Sequence, residues 1–279
     1  MNTQSLLDHL DEIAKIPNEE WLSELDDRKR KELEFHNRDR NRQLVESLDK
    51  DTYEKFYANR KYYRTVERST NYLSSWIEQN ARGRVFLDYA CGNGVNAITA
   101  AKCGATLSIG LDISDTSVAN AREDAKAQNL TNAYFVQADA ENTKLPDSSI
   151  DVVICQGMLH HLDLSYAFPE LRRILAPHGK ILAVEALDYN PAIKLYRMLT
   201  PSMRTEWEKA HILSLADVRF AKRFFDLGEI RYWHILSYAG AHFPRLLPVF
   251  NALDDALTKV PGIRLMAWMF TFELLSNKR

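Results

Sequence analysis

The sequence predicts an α/β fold built on a doubly wound, mostly parallel sheet, and three observations predict it. The apolar run Val85-Phe-Leu87 leads into Asp88 and a small-residue turn, Ala90-Cys-Gly92-Asn-Gly94, after which Val95 to Lys102 has helix-forming spacing. A second apolar strand, Thr106 to Leu111, ends on Asp112, about 20 residues past the start of the turn. Three further strands then alternate with helical segments, the order that produces parallel strands joined by crossovers.

Taken in order, residues 1–80 read as a helical extension. Pro17 stands at a helix start, a charged segment continues through Asn41, and Val66 to Gln79 is amphipathic. The third strand, Ala133 to Ala138, ends at Asp139-Ala140-Glu141. The fourth, Ile150 to Cys155, follows the turn Leu145 to Ser149 and runs out into Gln156 to Leu162. Leu171 to Gly179 is read as closing a helix before a fifth strand, Lys180 to Glu185. Pro191 and Pro201 bracket a short helix in an insertion expected to stand over the carboxyl ends of the strands, where an open α/β sheet binds its ligands. Ser214 to Phe225 reads as a helix, Glu229 to Leu236 as the sixth strand and Trp268 to Leu275 as the seventh. The expected organisation is therefore an extension or lid (1–80), a core (81–188), a substrate-side insertion (189–213) and the second half of the sheet (214–279).

Composition excludes several classes. A hydrophobic content of 46% over 279 residues suffices for a large packed core. No apolar run has the length of a membrane span, and the first residues lack a signal peptide's basic and apolar parts, so a cytoplasmic location is expected. Cys91, Cys103 and Cys155 are assigned to the sheet layer as reduced thiols, and no metal is expected. The net charge of −2 argues against a nucleic-acid partner. The basic runs Arg28 to Lys31 and Arg38 to Arg42 alternate with acids and read as a solvated, ion-paired helix face. The apolar stretch Pro244 to Leu265, broken by Pro248 and Pro261, reads as ordinary packing rather than a lipid-facing segment.

Six segments in order carry a more specific signal: Leu87-Asp88-Tyr-Ala-Cys-Gly92-Asn-Gly94, Gly110-Leu-Asp112, Ala138-Asp139-Ala140, Leu145-Pro-Asp147, Leu159-His-His-Leu162 and Leu175-Ala-Pro-His-Gly179. Residues 84–187 thereby resemble a class I S-adenosylmethionine-dependent methyltransferase of the UbiE-like type. A dehydrogenase is the rival for a glycine loop with a later acid, but its third glycine would fall at Ala97. The resemblance implies a Rossmann-like methyltransferase sheet of seven strands, the last antiparallel, and S-adenosyl-L-methionine as cofactor.

By the same resemblance, Asp88 would orient the turn and the methionine amino group, while Gly92 and Gly94 let the backbone approach the cofactor. Asp112 would hold the ribose, with Ile113 beside it. Asp139 and Ala140 would meet the adenine, and Gln156 the methionine part. The family has glycine where this chain has Ala90, and a methyl group there calls for an ordinary backbone angle. His160 and His161, beyond the fourth strand, are candidate catalytic bases for a hydroxyl or protonated-nitrogen acceptor. Arg197 and Arg204 are candidate contacts to an anionic acceptor, with Tyr57 and Tyr189 as further substrate-binding residues; Phe56, Tyr62 and Tyr63 are also candidates for a lid. Methyl transfer to a small or amphipathic molecule is the expected function. The alternatives are an RNA-modifying enzyme, which needs a continuous basic surface, and a non-catalytic cofactor-binding subunit.

Overall fold

A computed structural model describes residues 3–278. Seven strands form one sheet in the order β3-β2-β1-β4-β5-β7-β6. They are β1 (Val85–Tyr89), β2 (Leu107–Asp112), β3 (Ala133–Gln137), β4 (Ile150–Gln156), β5 (Leu175–Ala186), β6 (Asp226–Trp233) and β7 (Met269–Leu275). The first five are parallel, and β7 runs antiparallel to both β5 and β6. The order reverses between β1 and β4, and the carboxyl ends there form the crevice in which such sheets bind ligands.

The extension holds α1 (Thr3–Ala14), α2 (Asn18–Glu24), α3 (Asp27–Arg40), α4 (Arg42–Ser47), α5 (Lys50–Tyr57), a 3₁₀ stretch (Ala58–Thr65) and α6 (Glu67–Ala81). In the core follow α7 (Val95–Lys102), α8 (Asp115–Ala127) and α9 (Leu164–Ile174). The remainder contributes α10 (Pro191–Leu199), α11 (Glu206–Ala210), α12 (Leu215–Ala221) and α13 (Leu247–Leu257).

Alternation along the strands divides the core between two faces. Leu87, Val153, Ile181 and Ala183 pack in one cluster with Leu6, Leu10 and Ile13 of α1 and with Phe168 and Leu171 of α9. Phe86, Val152, Ile154, Leu182 and Val184 pack in another with Leu73, Trp76 and Ile77 of α6. Burying each such large side chain contributes about 1.5–3 kcal/mol. The extension is therefore not a single lid. Helices α1 and α6 cover opposite faces of the sheet, while the segment between them reaches the strand ends.

Several local expectations change. Leu175 to Gly179 does not close a helix; it begins β5, with a register shift against β4 between Ile150 and Val152. Gly179 sits in that irregularity, where a Cβ would lie 2.8 Å from Leu175 Cδ1 and 2.9 Å from Ala176 O. Strand β6 starts at Asp226 and ends before His234, whose left-handed φ of +67° turns the chain out of the sheet. Cys103 caps α7 instead of lying in the sheet. Between 244 and 265 the packing is partial: Leu257 and Leu265 lie against the core, Leu246, Val249 and Leu253 stay exposed, and Asp254 is the buried residue of α13, accepting from the backbone N–H groups of Leu236 and Ser237. Among the described residues, no helix is long and apolar enough to cross a membrane.

Candidate active site

The carboxyl ends of β1, β2, β3 and β4 floor a cavity of about 600 Å³ that Asp88, Ala90, Gly92, Asp112, Ile113, Asp139, Ala140 and Gln156 all line. Asp88 is buried, accepting from Ala97 N at 3.1 Å and Asn96 Nδ2 at 3.3 Å. The Asn96 amide also reaches Gln156 Oε1 at 2.9 Å, so one side chain fixes two floor residues. Asp112 accepts from Gly92 N and Ser114 N, both at 2.8 Å, which ties the turn after β1 to the end of β2. Its outer lone pairs remain for a ligand hydroxyl. Asp139 accepts from Glu141 N at 2.8 Å, and buried Tyr89 donates its hydroxyl to Ala140 O.

Two turn residues depart from expectation. Ala90 has φ +54°, a left-handed angle that costs a non-glycine residue about 1–2 kcal/mol, so the backbone here is not the ordinary one a methyl group calls for. Gly94 does not border the cavity: at φ +73° it precedes α7, and a Cβ there would lie 2.5 Å from the Phe135 ring. Its lack of a side chain lets helix and sheet approach, while Gly92 alone serves the cavity.

The roof is mainly α3, and here the solvated-face reading of the basic runs is corrected. Arg28 donates to Glu141 Oε1 at 2.6 Å and to the His161 carbonyl at 2.9 Å. Lys29 pairs with Asp139 at 2.6 Å and Glu141 at 3.0 Å. Burial works against the Lys29 ammonium, yet its hydrogen bonds to Asp139 and Glu141 outweigh that and raise its pKa. Arg40 lies over the turn, within 3.4 Å of where a Gly92 Cβ would be. The buried Arg40 Nε and Ser117 Oγ, both on residues lining this cavity, have no hydrogen-bond partner among the described residues. They leave unsatisfied polar groups for a polar occupant.

Beyond β4 the two histidines separate in role. His160 Nδ1 lies 2.7 Å from Oε2 of Glu185, which is fully buried at the end of β5 and also accepts from Met158 N and Leu159 N at 2.8 and 2.7 Å. With Nδ1 as donor, the His160 Nε2 lone pair is left without a partner among the described residues. His161 instead turns to the roof, its Nδ1 2.9 Å from Glu32 Oε2, while Glu32 Oε1 accepts from the Thr205 hydroxyl. Burial opposes charging His161, but the Glu32 hydrogen bond prevails and raises its pKa; neighbouring His36 is pushed well down by burial and by His161. Glu32, His36 and His161 bring three ligand atoms within 4.8 Å of one another, a set with the chemistry to hold a divalent cation, although hydrogen bonds already satisfy the carboxylate.

A second cavity of about 270 Å³ adjoins the first, and Tyr63, His160, Met203, Glu208 and Trp268 border both. Helix α10 contributes Ile193, Tyr196 and Arg197 to its wall, and Arg204 also lines it. Asn190 caps α10 through Ala192 N at 2.9 Å, with Pro191 in the first turn, which is how the insertion forms a wall. Tyr62 and Tyr63 of the 3₁₀ stretch lie here, whereas Tyr57 and Phe56 border the first cavity. Tyr189 borders neither cavity: it packs on the core and accepts from Leu215 N at 3.2 Å.

Residues 87–183 match the family model of a methyltransferase domain. This segment is a class I S-adenosylmethionine-dependent methyltransferase domain. The ribosomal protein L11 methyltransferase of Burkholderia cenocepacia is 33% identical over 114 residues, 40% of this chain and 36% of that protein's length. Among solved structures, magnesium protoporphyrin IX methyltransferase from Synechocystis shares the fold with a TM-score of 0.57 and 17% identity, covering 88% of this chain and 98% of the other. A sarcosine dimethylglycine methyltransferase structure from Galdieria sulphuraria gives a TM-score of 0.55 at 17% identity, covering 76% and 87%.

The cofactor of this methyltransferase domain class is S-adenosylmethionine, which supplies a methyl group activated on a sulfonium. The floor suits such a cation. Burial, only partly offset by the Asn96 and Ala97 hydrogen bonds, raises the Asp88 carboxyl to about 7. Since this folded-state value exceeds the ordinary 3.8, Asp88 favours folding at low pH and that contribution is lost as pH rises through about 7. A cationic ligand favours the carboxylate, so cofactor affinity should climb with pH, by up to about tenfold per unit below that pKa, with release of a proton. Calorimetry between about pH 6 and about pH 8 checks this. Asp88→Asn should flatten the dependence, and a flat wild-type profile would refute it.

Sequence reasoning missed Lys29, Glu32, Asn96, Glu185 and Glu208. Glu185 alone carried a local signal, as an acid closing a buried strand.

Proposed function

We propose that the protein transfers a methyl group from S-adenosylmethionine to a small or amphipathic acceptor held in the second cavity. The observation that carries this reading is the junction: His160, backed by a buried carboxylate, borders both cavities. In this reading Asp88, Asp112, Asp139 and Gln156 bind the cofactor, α3 excludes water above it, and α10 with Tyr63 and Trp268 positions the acceptor. His160 Nε2 takes the acceptor's proton where the reacting group is a hydroxyl or protonated nitrogen, and Glu185 keeps the imidazole in the required tautomer and orientation.

A protein side chain is the second reading, favoured by what the Burkholderia relative is named for acting on. Size and lining support the first, because a cavity of about 270 Å³ walled largely by apolar and aromatic side chains fits a small ligand or the end of a longer one. Incubating the pure protein with methyl-labelled cofactor and fractionated extract separates them. Label in the small-molecule or lipid fraction is expected; label confined to protein or to RNA would overturn the proposal.

A further inference from the structure

The second cavity has an unbalanced charge. Arg197 donates through Nη2 to the Glu208 carbonyl at 2.9 Å and lies 3.4 Å from Glu208 Oε1. Arg204 brings Nε to 3.5 Å from the same carboxylate oxygen, and its Nη1 donates to the Thr200 carbonyl at 2.8 Å and hydroxyl at 3.0 Å. Two guanidinium groups thus share one carboxylate, and Glu208 is the sole acidic residue among the described residues lining this cavity. Both arginine side chains are withdrawn from solvent, at 14% and 7% exposure. Arg197 Nε and Nη1 and Arg204 Nη2 make no hydrogen bond among the described residues and none is a sealed-off atom, so these donors are free on two residues that line the cavity.

An excess cation in such a place is costly unless an anion completes it. The cost registers on Arg197, whose pKa is lowered by burial and then by Arg204. A guanidinium presents parallel N–H groups that match a carboxylate or phosphate in two-point contact. The rest of the wall is apolar and aromatic, with Leu187, Ile193, Tyr196, Ile212 and Trp268 prominent.

Resting on the methyl-transfer reading above, we infer that the acceptor is an amphiphilic anion, its carboxylate or phosphate held by Arg197 and Arg204 and its apolar body lying against the aromatic wall toward His160. The outer side of α10 exposes Leu195, Met198 and Leu199, so the same helix that lines the cavity also presents apolar surface to the outside.

The test uses the full chain saturated with S-adenosylhomocysteine and three probes, octanoate, octyl phosphate and the neutral octanamide, followed by calorimetry. At least one anion should bind about tenfold or more tighter than octanamide, the scale set by a charge-assisted hydrogen bond. Arg197→Gln should cut that ratio below about threefold and Arg197→Lys restore part of it. Arg204 also anchors the end of α10, so Arg197 is the safer position to change. Vesicles containing phosphatidic acid, against phosphatidylcholine alone, distinguish a membrane source: selective binding to the former that Arg197→Gln abolishes means the head is taken from a bilayer. Equal binding of anion and amide, no probe binding at all, or an anion preference that survives Arg197→Gln would overturn the inference while leaving methyl transfer standing. Failure of S-adenosylhomocysteine itself to bind would bring down the methyl-transfer reading and this inference together.

Discussion

His160→Ala is expected to lower turnover about 10²-fold or more at neutral pH while leaving S-adenosylhomocysteine affinity nearly unchanged. The expectation rests on the position of the ring. Its Nδ1 is held by Glu185, a carboxylate with no exposure, so the tautomer with a free Nε2 is the one the site supports. A base in this position needs its lone pair free to act, so the substitution should remove the proton-acceptor step while leaving the alignment of the substrates in place. Glu185→Gln weakens the acceptor that holds Nδ1 in place, and should lower turnover while leaving S-adenosylhomocysteine affinity nearly unchanged. His161→Ala tests the other sequence candidate. Its ring is committed to Glu32 in the roof, so loss of roof closure should appear as weaker cofactor binding more than as slower chemistry. A cost below about tenfold for His160→Ala would mean the acceptor needs no base and that alignment alone carries the rate.

Asp112→Ala is expected to weaken cofactor binding by about 1.5–3 kcal/mol, the scale for losing a charged acceptor. Part of this is indirect. The carboxylate also receives Gly92 N and Ser114 N, so its removal orphans two backbone donors and loosens the turn that Asp88 and Ala90 belong to. Asp112→Asn retains one acceptor oxygen and should therefore lose less affinity and less thermal stability than the alanine variant. Binding calorimetry with a melting curve for each variant measures both. An Asp112→Ala protein that is folded and binds the cofactor as the wild type does would remove Asp112 from the ribose role.

The floor was legible because each of its residues is set by the strand it ends. Asp88, Asp112, Asp139 and Gln156 follow short apolar runs, and parallel strands in register must deliver their ends to one edge of the sheet. Boundaries were less legible where backbone irregularity intervened, as at the start of β5 and in β6, since a register shift leaves no mark in an apolar pattern.

The residues that close and charge the site lay beyond such reading. Helix α3 buries Glu32 and Leu33 and turns Arg28, Lys29 and Arg40 inward, so its inner face is nearly as polar as its outer one and hydropathic spacing gives no sign of which side faces the cavity. Those charges look like a solvated run until Asp139, Glu141 and His161, more than a hundred positions away, are set opposite them. The same holds for the contrast between His160 and His161. Adjacent in the chain and alike in chemistry, they part only because Glu185 approaches one from β5 and Glu32 the other from α3. What the sequence determined by itself was the mostly parallel sheet, the succession of its strands along the chain and the acids at their ends, because local pattern and chain connectivity suffice for these. Which charges are buried, which histidine faces both cavities and which arginines share a single counter-ion were decided only by tertiary structure, because each depends on partners that folding alone brings within a few ångströms.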